Sequence, residues 1–372
     1  MSVIIFAIIL SVLVIVHELG HFLIAKYFGV RVDEFGLGYP PRAIKLFTWR
    51  GTVFTLNWVP FGGFVKIFGE NPEESGNESL VENPPNDNFQ KKNRGIQASV
   101  LSAGVIFNFF FAGLLLSLGL MVGTPTSVQS EIPFAVENHR LVITSVLADS
   151  PAQLAGLKAG DTILSLSNSE VEYVPSFEDS IISLGETRDF IASSEEPVTF
   201  NISRGGEIVS QEVSPEEGIS SEGMAVGISM DVIGTLQLPP HQAIWYGMRN
   251  TVEVTILTAG AIGTFLFEAI TGRADLSTVA GPVGIVGIVG DVRDLGVSYL
   301  ITFTALISIN LAIINLLPIP ALDGGRLLFV IIEAIGRRPI PPKVFNAVNG
   351  IGFLLLILLM VIITIQDVRN IF

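Results

Sequence analysis

The sequence predicts a polytopic α-helical membrane protein with about four transmembrane helices, a membrane-associated β-hairpin region, and an inserted α/β domain outside the membrane. Three observations lead there. The chain of 372 residues is 49% hydrophobic and only 15% charged, whereas a soluble domain carries about 25% charged residues. Its mean hydropathy is +0.59, and the apolar residues gather into stretches of membrane-spanning length. The charge is segregated: residues 123–240 hold four basic side chains and 18 acidic ones, which is the whole of the net −14. One acidic, soluble block therefore interrupts an otherwise balanced apolar chain. There is no cysteine, which excludes disulfides and thiolate metal sites. No basic tail or stripe is present, so nucleic acid is not an expected partner.

The first apolar segment runs from residue 1 to about Phe28, long enough to cross a hydrocarbon core of about 30 Å. A cleaved signal peptide is the competing reading, but neither a basic leader nor a small-residue cleavage site is evident. Further spans are expected at 97–122, 298–319 and 346–366. Residues 241–271 carry His241, Arg249, Asn250 and Glu253 near their start and read as an amphipathic helix lying at the interface, with a fifth span as the alternative. Residues 43–65 read as strands around a Trp49-Arg50-Gly51-Thr52 turn. The apolar Phe61-Gly62-Gly63-Phe64-Val65 that follows suits a segment dipping into the membrane, a place where non-helical backbone must be paired or line a cavity. Residues 70–95 are polar and rich in Glu, Asn and Pro, the composition of a linker.

Lys and Arg set the orientation. Nine lie in the 26–94 connection and four in the 326–343 connection, so both are expected in the cytoplasm. Four spans then place both termini and the acidic block on the opposite side.

His17-Glu18-Leu19-Gly20-His21 is an HExxH string inside the first apolar segment. On a helix the two imidazoles sit one turn apart on one face and can hold one zinc ion, with Glu18 placed to take a proton from a zinc-activated water. A polar cluster at a helix end is the competing reading, but polar groups in an apolar span are costly unless paired or bound to metal. A catalytic zinc usually takes three protein ligands. His139 and His241 lie in poor contexts, and Asp323, at the end of an apolar segment broken by Pro318 and Pro320 and followed by Gly324-Gly325, is the better candidate. A helix exit with a capping Asp is the ordinary alternative.

An HExxH on the first span followed far downstream by Asn315-x-x-Pro318-x-Pro320-x-Leu322-Asp323-Gly324-Gly325 resembles the site-2 protease family of intramembrane zinc metalloproteases. The resemblance extends to Gly62-Gly63-Phe64-Val65-Lys66, similar to the family's reentrant β region, to Ser102–Asn108, and to Gly281–Ile285; the order is most similar to the RseP type. It implies that His17, His21 and Asp323 bind Zn2+, that Glu18 is the catalytic acid/base, and that Asn315, Pro318 and Pro320 help hold the substrate strand. Gly62, Gly63 and Phe64 would offer a strand edge to an unwound substrate; the two glycines also suit a simple turn.

Ser150–Leu166 is similar to the helix-turn-strand core of bacterial PDZ domains, and Val198–Glu207 to a following hairpin. There is room for one such domain, where RseP-type proteins carry two. The organisation expected is a membrane part at 1–122, a PDZ domain with flanks at 123–235, an interfacial segment at 236–297 and a second membrane part at 298–372. The function expected is intramembrane proteolysis of single-span membrane proteins at the inner (plasma) membrane, with the active site near the cytoplasmic face. The extracytoplasmic PDZ domain would restrict access and offer a place for peptide C-termini. A catalytically inactive membrane-anchored PDZ binding protein and a zinc transporter or sensor are the alternatives.

Overall fold

The structure, a computed structural model, describes residues 1–70, 86–129, 133–169, 171–176, 180–220, 223–275 and 279–371. They fall into two compact units, one of residues 1–118, 244–293 and 300–372, the other of residues 119–243 and 294–299.

The first unit is built on long apolar helices. α1 (Ser2–Tyr27), α2 (Arg94–Val122), α5 (Pro240–Ile270), α7 (Val297–Leu316) and α9 (Pro342–Ile371) are each long and apolar enough to cross a membrane. α5 is one unbroken helix of 31 residues that meets this measure as the others do. Its polar residues do not interrupt it, because Arg249 Nε donates to Glu253 one turn on at 2.8 Å and Thr251 donates to the Gly247 carbonyl. α2 and α7 meet around buried Ala112, Leu116, Ala305 and Ile309, with Val254 of α5 packed against them. α6 (Pro282–Leu295) and α8 (Asp323–Gly336) are shorter, at 14 residues each.

Between α1 and α2 the chain forms β1 (Val32–Trp49) and β2 (Thr52–Ile67). The turn lies where the sequence expects it, with Arg50 and Gly51 both at positive φ. The strands extend further than 43–65 and bend back on themselves. Glu34–Leu37 pairs with Val53–Leu56 on one side and with Gly63–Lys66 on the other. The result is a four-pass sheet whose last pass, Gly63–Ile67, pairs through one edge alone among the described residues. Its hydrophobic side covers α1: Phe22 packs against Phe35 and Phe54, in a core that also holds Val30, Val32, Ile67, Phe89 and Val100.

The linker expected over 70–95 needs correction at its end. Residues 71–85 lie outside those described, but 86–93 are packed. Phe89 and Asn88 are buried, the Phe89 N–H donates to Phe68, and the buried Gln97 amide donates to the carbonyls of Phe89, Gln90 and Lys92. Gln97 satisfies the carbonyls of a short 3-10 turn, so a polar segment can be held against the helix.

The second unit is α/β. Its main sheet runs β3 (Thr124–Ser127), β11 (Ile228–Leu236), β4 (Glu137–Val146), β5 (Thr162–Ser167), β7 (Val198–Arg204), β8 (Glu207–Val213), with β6 (Glu172–Tyr173) beside β5. Alternation along β7 buries Val198, Phe200 and Ile202 completely, as expected of a strand with one covered face. α3 (Pro151–Leu154) starts on Ser150, whose hydroxyl caps the Gln153 N–H. α4 (Ser180–Ser193) packs against β11 and the small hairpin of β9 (Glu216–Ser220) and β10 (Gly223–Ala225).

Asp161 fixes the loop between α3 and β5. Its carboxylate is almost fully buried, takes a two-pronged hydrogen bond from Arg204 at 2.7 and 2.6 Å, and accepts the Lys158 N–H at 2.8 Å. Removing one partner of such a pair strands the other, although Arg204 is one-third exposed and water recovers part of the loss. Asp161→Ala should cost this unit about 2 kcal/mol. Hydrogen exchange on the full-length protein in detergent should then show protection across β5 and β7 reduced by about 30-fold, and unchanged protection would contradict this account.

Candidate metal centre

The spacing of HExxH on α1 stacks His17 and His21 on one helix face, with ring centroids 4.8 Å apart and planes at 78°. Both are less than a tenth exposed. Asp323 reaches them across some 300 residues of chain because α7 stops at Leu316 and the Pro-containing turn delivers it as the first residue of α8. Its Oδ2 lies 2.9 Å from His17 Nε2 and 3.2 Å from His21 Nε2, and the two Nε2 atoms are 3.2 Å apart. A tetrahedral zinc with bonds of about 2.0–2.1 Å separates its ligand atoms by about 3.3 Å. The three atoms therefore already form close to one face of such a site.

The surroundings enforce this geometry. Gly104 of α2 lies against the pair, and a Cβ there would stand 2.5 Å from His17 Cε1 and from His21 Nε2. His21 Nδ1 lies 2.7 Å from the Val100 carbonyl, which must accept from it and so leaves Nε2 free for the metal. The Asn108 side-chain amide lies 3.3 Å from His17 Nδ1. On the other side, Gly324 and Gly325 let α8 begin against the carbonyls of Leu316, Leu317 and Ile319, all within 2.4 Å of where a Cβ would be. The Ala321 N–H donates to Asn349 of α9 at 3.0 Å, which holds the turn that carries Asp323.

A cavity of about 380 Å³ opens beside the triad, lined by Glu18, His21, Tyr39, Gly63, Phe64, Lys66, Asp323 and Arg326 among others. The Glu18 carboxylate accepts a hydrogen bond from the Val65 backbone N–H. Gly63 is so close that a Cβ there would stand 3.9 Å from Glu18 Cγ. The free edge of Gly63–Ile67 is thereby set beside the candidate proton carrier.

Of the residues expected to hold substrate, Gly63 and Phe64 line this cavity, and Gly62 sits beside Tyr39 and Val14 with φ at 72°. Asn315, Pro318 and Pro320 are not among its described lining residues; Pro320 packs instead on Gly352 of α9. Four contributors were missed in the sequence. Tyr39 lines the cavity, and burial together with the nearby Glu18 charge pushes its phenol above the ordinary value. Arg326 pairs with Glu70 at the cavity wall. Asn108 closes the Ser102–Asn108 segment that carries part of the resemblance, without a role assigned to it there, and Asn349 lies outside any local motif that would mark it.

The family model described as peptidase family M50 matches residues 5–359. A putative zinc metalloprotease of Clostridium perfringens is 34% identical over 360 residues, covering 96% of each chain. The zinc metalloprotease RasP of Geobacillus kaustophilus is 30% identical, covering 100% of this chain and 98% of its own. A putative zinc metalloprotease of Synechocystis is 35% identical, covering 97% and 93%.

Gly104→Ala provides a test of the site's geometry. Alanine favours a helix by about 1 kcal/mol over glycine, so α2 itself should not suffer. The added methyl must displace a ring, and zinc content measured by mass spectrometry should fall well below one per chain. Full occupancy would mean that the rings have room to spare.

Proposed function

Because the chain belongs to peptidase family M50, the site-2 proteases, and is a zinc metalloprotease with several helices fit to span a membrane, we propose that it cuts single-span membrane proteins within the bilayer by regulated intramembrane proteolysis. Anti-sigma-factor-like proteins and signal-peptide remnants are the substrate classes. One observation carries the reading: His17, His21 and Asp323 converge beside Glu18, and Glu18 and the outer pass Gly63–Ile67 line one cavity.

A helix hides its peptide bonds, so a membrane substrate must be unwound before it is cut. The outer edge of Gly63–Ile67 can take the unwound segment as an added strand. Zinc, held by His17, His21 and Asp323, supplies Lewis-acid polarisation of the scissile carbonyl and an acidified water. Glu18 takes the proton from the attacking water and delivers it to the leaving nitrogen. Tyr39, Lys66 and Arg326 give the cavity its polar wall, as a hydrolytic site needs.

Four crossings and an active site near the cytoplasmic face fit together. His17 and His21 lie in the second half of α1, and Asp323 follows the end of α7. Their convergence requires α1 and α7 to run in the same direction across the membrane. The segment between α2 and α7 must then leave and return to one side. α6 is about 21 Å long, too short for a core of about 30 Å, so α5 cannot make a crossing that α6 reverses. We therefore assign α5 to the interface, with the acidic 123–235 module extracytoplasmic and the protein in the inner (plasma) membrane.

That module is the PDZ domain of the proposal. A groove of about 230 Å³ lies between α4 and the start of β11, lined by Leu184, Ile191, Met224, Ala225, Ile228 and Met230. Among the described residues, β3 pairs with β11 from Ile233 onward, and the Val128 N–H donates to the Val232 carbonyl. Peptide C-termini would bind there. The module follows directly after α2 in the chain and would exclude substrates with bulky external parts.

Glu18→Gln should retain one zinc per chain, because both imidazoles and Asp323 remain, while cleavage of a single-span substrate in detergent falls by about 10²–10⁴-fold. Turnover within tenfold of wild type would remove Glu18 from the chemistry. For the filter, one substrate with its full external domain is compared with a version cut to a short stub. The intact enzyme should prefer the stub, and an enzyme lacking 128–230 should lose most of that preference. Equal cleavage of both by the intact enzyme would deny the module this role.

A further inference from the structure

Asn108 is an amide in the middle of an apolar helix and is completely buried. Its Nδ2 stands 3.3 Å from His17 Nδ1, while its Oδ1 is buried with no hydrogen-bond partner. Both facts conflict with the metal centre as described. If Nδ2 donates to His17 Nδ1, the neutral ring carries its proton on Nε2, the atom that points at Asp323 and His21. A protonated Nε2 cannot bind zinc. A buried orphan carbonyl oxygen is also unfavourable.

One change removes the tautomer conflict and gives the carbonyl oxygen a partner. Rotating the amide by half a turn exchanges Oδ1 and Nδ2, two atoms that are assigned from the hydrogen-bond network. Oδ1 then faces His17 Nδ1 and accepts its proton, and Nε2 becomes the bare lone pair that a metal needs. His21 already has this arrangement, with Nδ1 donating to the Val100 carbonyl at 2.7 Å. Val100, Gly104 and Asn108 lie four residues apart along α2, so they share one face. That face offers His21 a backbone acceptor, leaves a gap where the rings pass, and offers His17 a side-chain acceptor. Asn108 is itself held in place, because the Ser308 hydroxyl of α7 donates to its backbone carbonyl at 2.8 Å.

We infer that Asn108 is a positioning residue for the zinc site: its carbonyl oxygen accepts the Nδ1 proton of His17, selects the tautomer with a free Nε2, and fixes the plane of the ring. This inference rests on His17 binding zinc, and the test separates the two. The full chain is stripped with chelator in detergent and titrated with zinc alone against a competing chelator. Asn108→Leu, which keeps the volume and removes the acceptor, should weaken zinc binding by about 10–100-fold. Asn108→Asp, which restores an acceptor and adds charge, should bind at least as tightly as wild type. His17→Ala is the control for the underlying reading, and unchanged binding in that variant would fail the zinc site itself.

With His17→Ala impaired, wild-type affinity in Asn108→Leu would overturn the inference, as would equal weakening in Asn108→Leu and Asn108→Asp, the signature of packing alone. Should Asn108→Leu not fold, Asn108→Ser and a ¹⁵N-histidine spectrum of the zinc-loaded protein decide. The chain has four histidines, so the ring signals are few. Wild type should show His17 protonated at Nδ1 and hydrogen-bonded, and the serine variant should shift that signal. A His17 signal that is the same in both would overturn it.

Discussion

The rest of the membrane unit depends on one constraint: two imidazoles and a carboxylate stand within hydrogen-bonding distance of one another, largely shut off from water. Such groups are tolerated in an apolar setting only when each is given a partner. The architecture is largely an answer to that demand. α2 supplies Val100 and Asn108 and recedes at Gly104. α7 ends early, two glycines let α8 start against the carbonyls of the turn, and Asn349 pins that turn. Four helices and a loop are thus tied to a cluster a few ångströms across.

The β region answers a different demand. A protease acting on membrane spans must present backbone hydrogen-bonding groups where water is scarce, and an open sheet edge in lipid is unfavourable. Here the strands fold back so that the two central passes are paired on both sides, and the outer pass Gly63–Ile67 lines the cavity. Phe22, Phe35 and Phe54 stack beneath it, which holds the edge in register with α1 and keeps Val65 against Glu18. In the proposed mechanism, substrate recognition and proton transfer are thus set by one packed interface.

Much of the candidate site was legible because its chemistry is local or expensive. HExxH is complete within five residues, and its meaning follows from helical spacing alone. Asp323 could be singled out because a carboxylate after an apolar segment, between prolines and glycines, needs a reason. The hairpin turn at Arg50-Gly51 was legible for the same local reason. Asn108 could be read only as an oddity in a span, since nothing in its neighbourhood says which side chain it faces. Residues 86–93 were misread as linker because Gln97, which satisfies their carbonyls, lies in the next element.

By itself the sequence determined the apolar spans, the segregated acidic block, the family resemblance, the histidine pair with its glutamate, and Asp323 as the group most in need of a partner. These are consequences of composition and short-range periodicity, which survive without knowledge of contacts. Tertiary structure decided that Asp323 meets His17 and His21, that α2 lends both rings an acceptor, and that β2 folds into a final pass with a free edge. It also decided that α5 is one unbroken helix of 31 residues. Each of those outcomes depends on which distant groups satisfy a buried donor, acceptor or charge, and chain order carries no direct record of that.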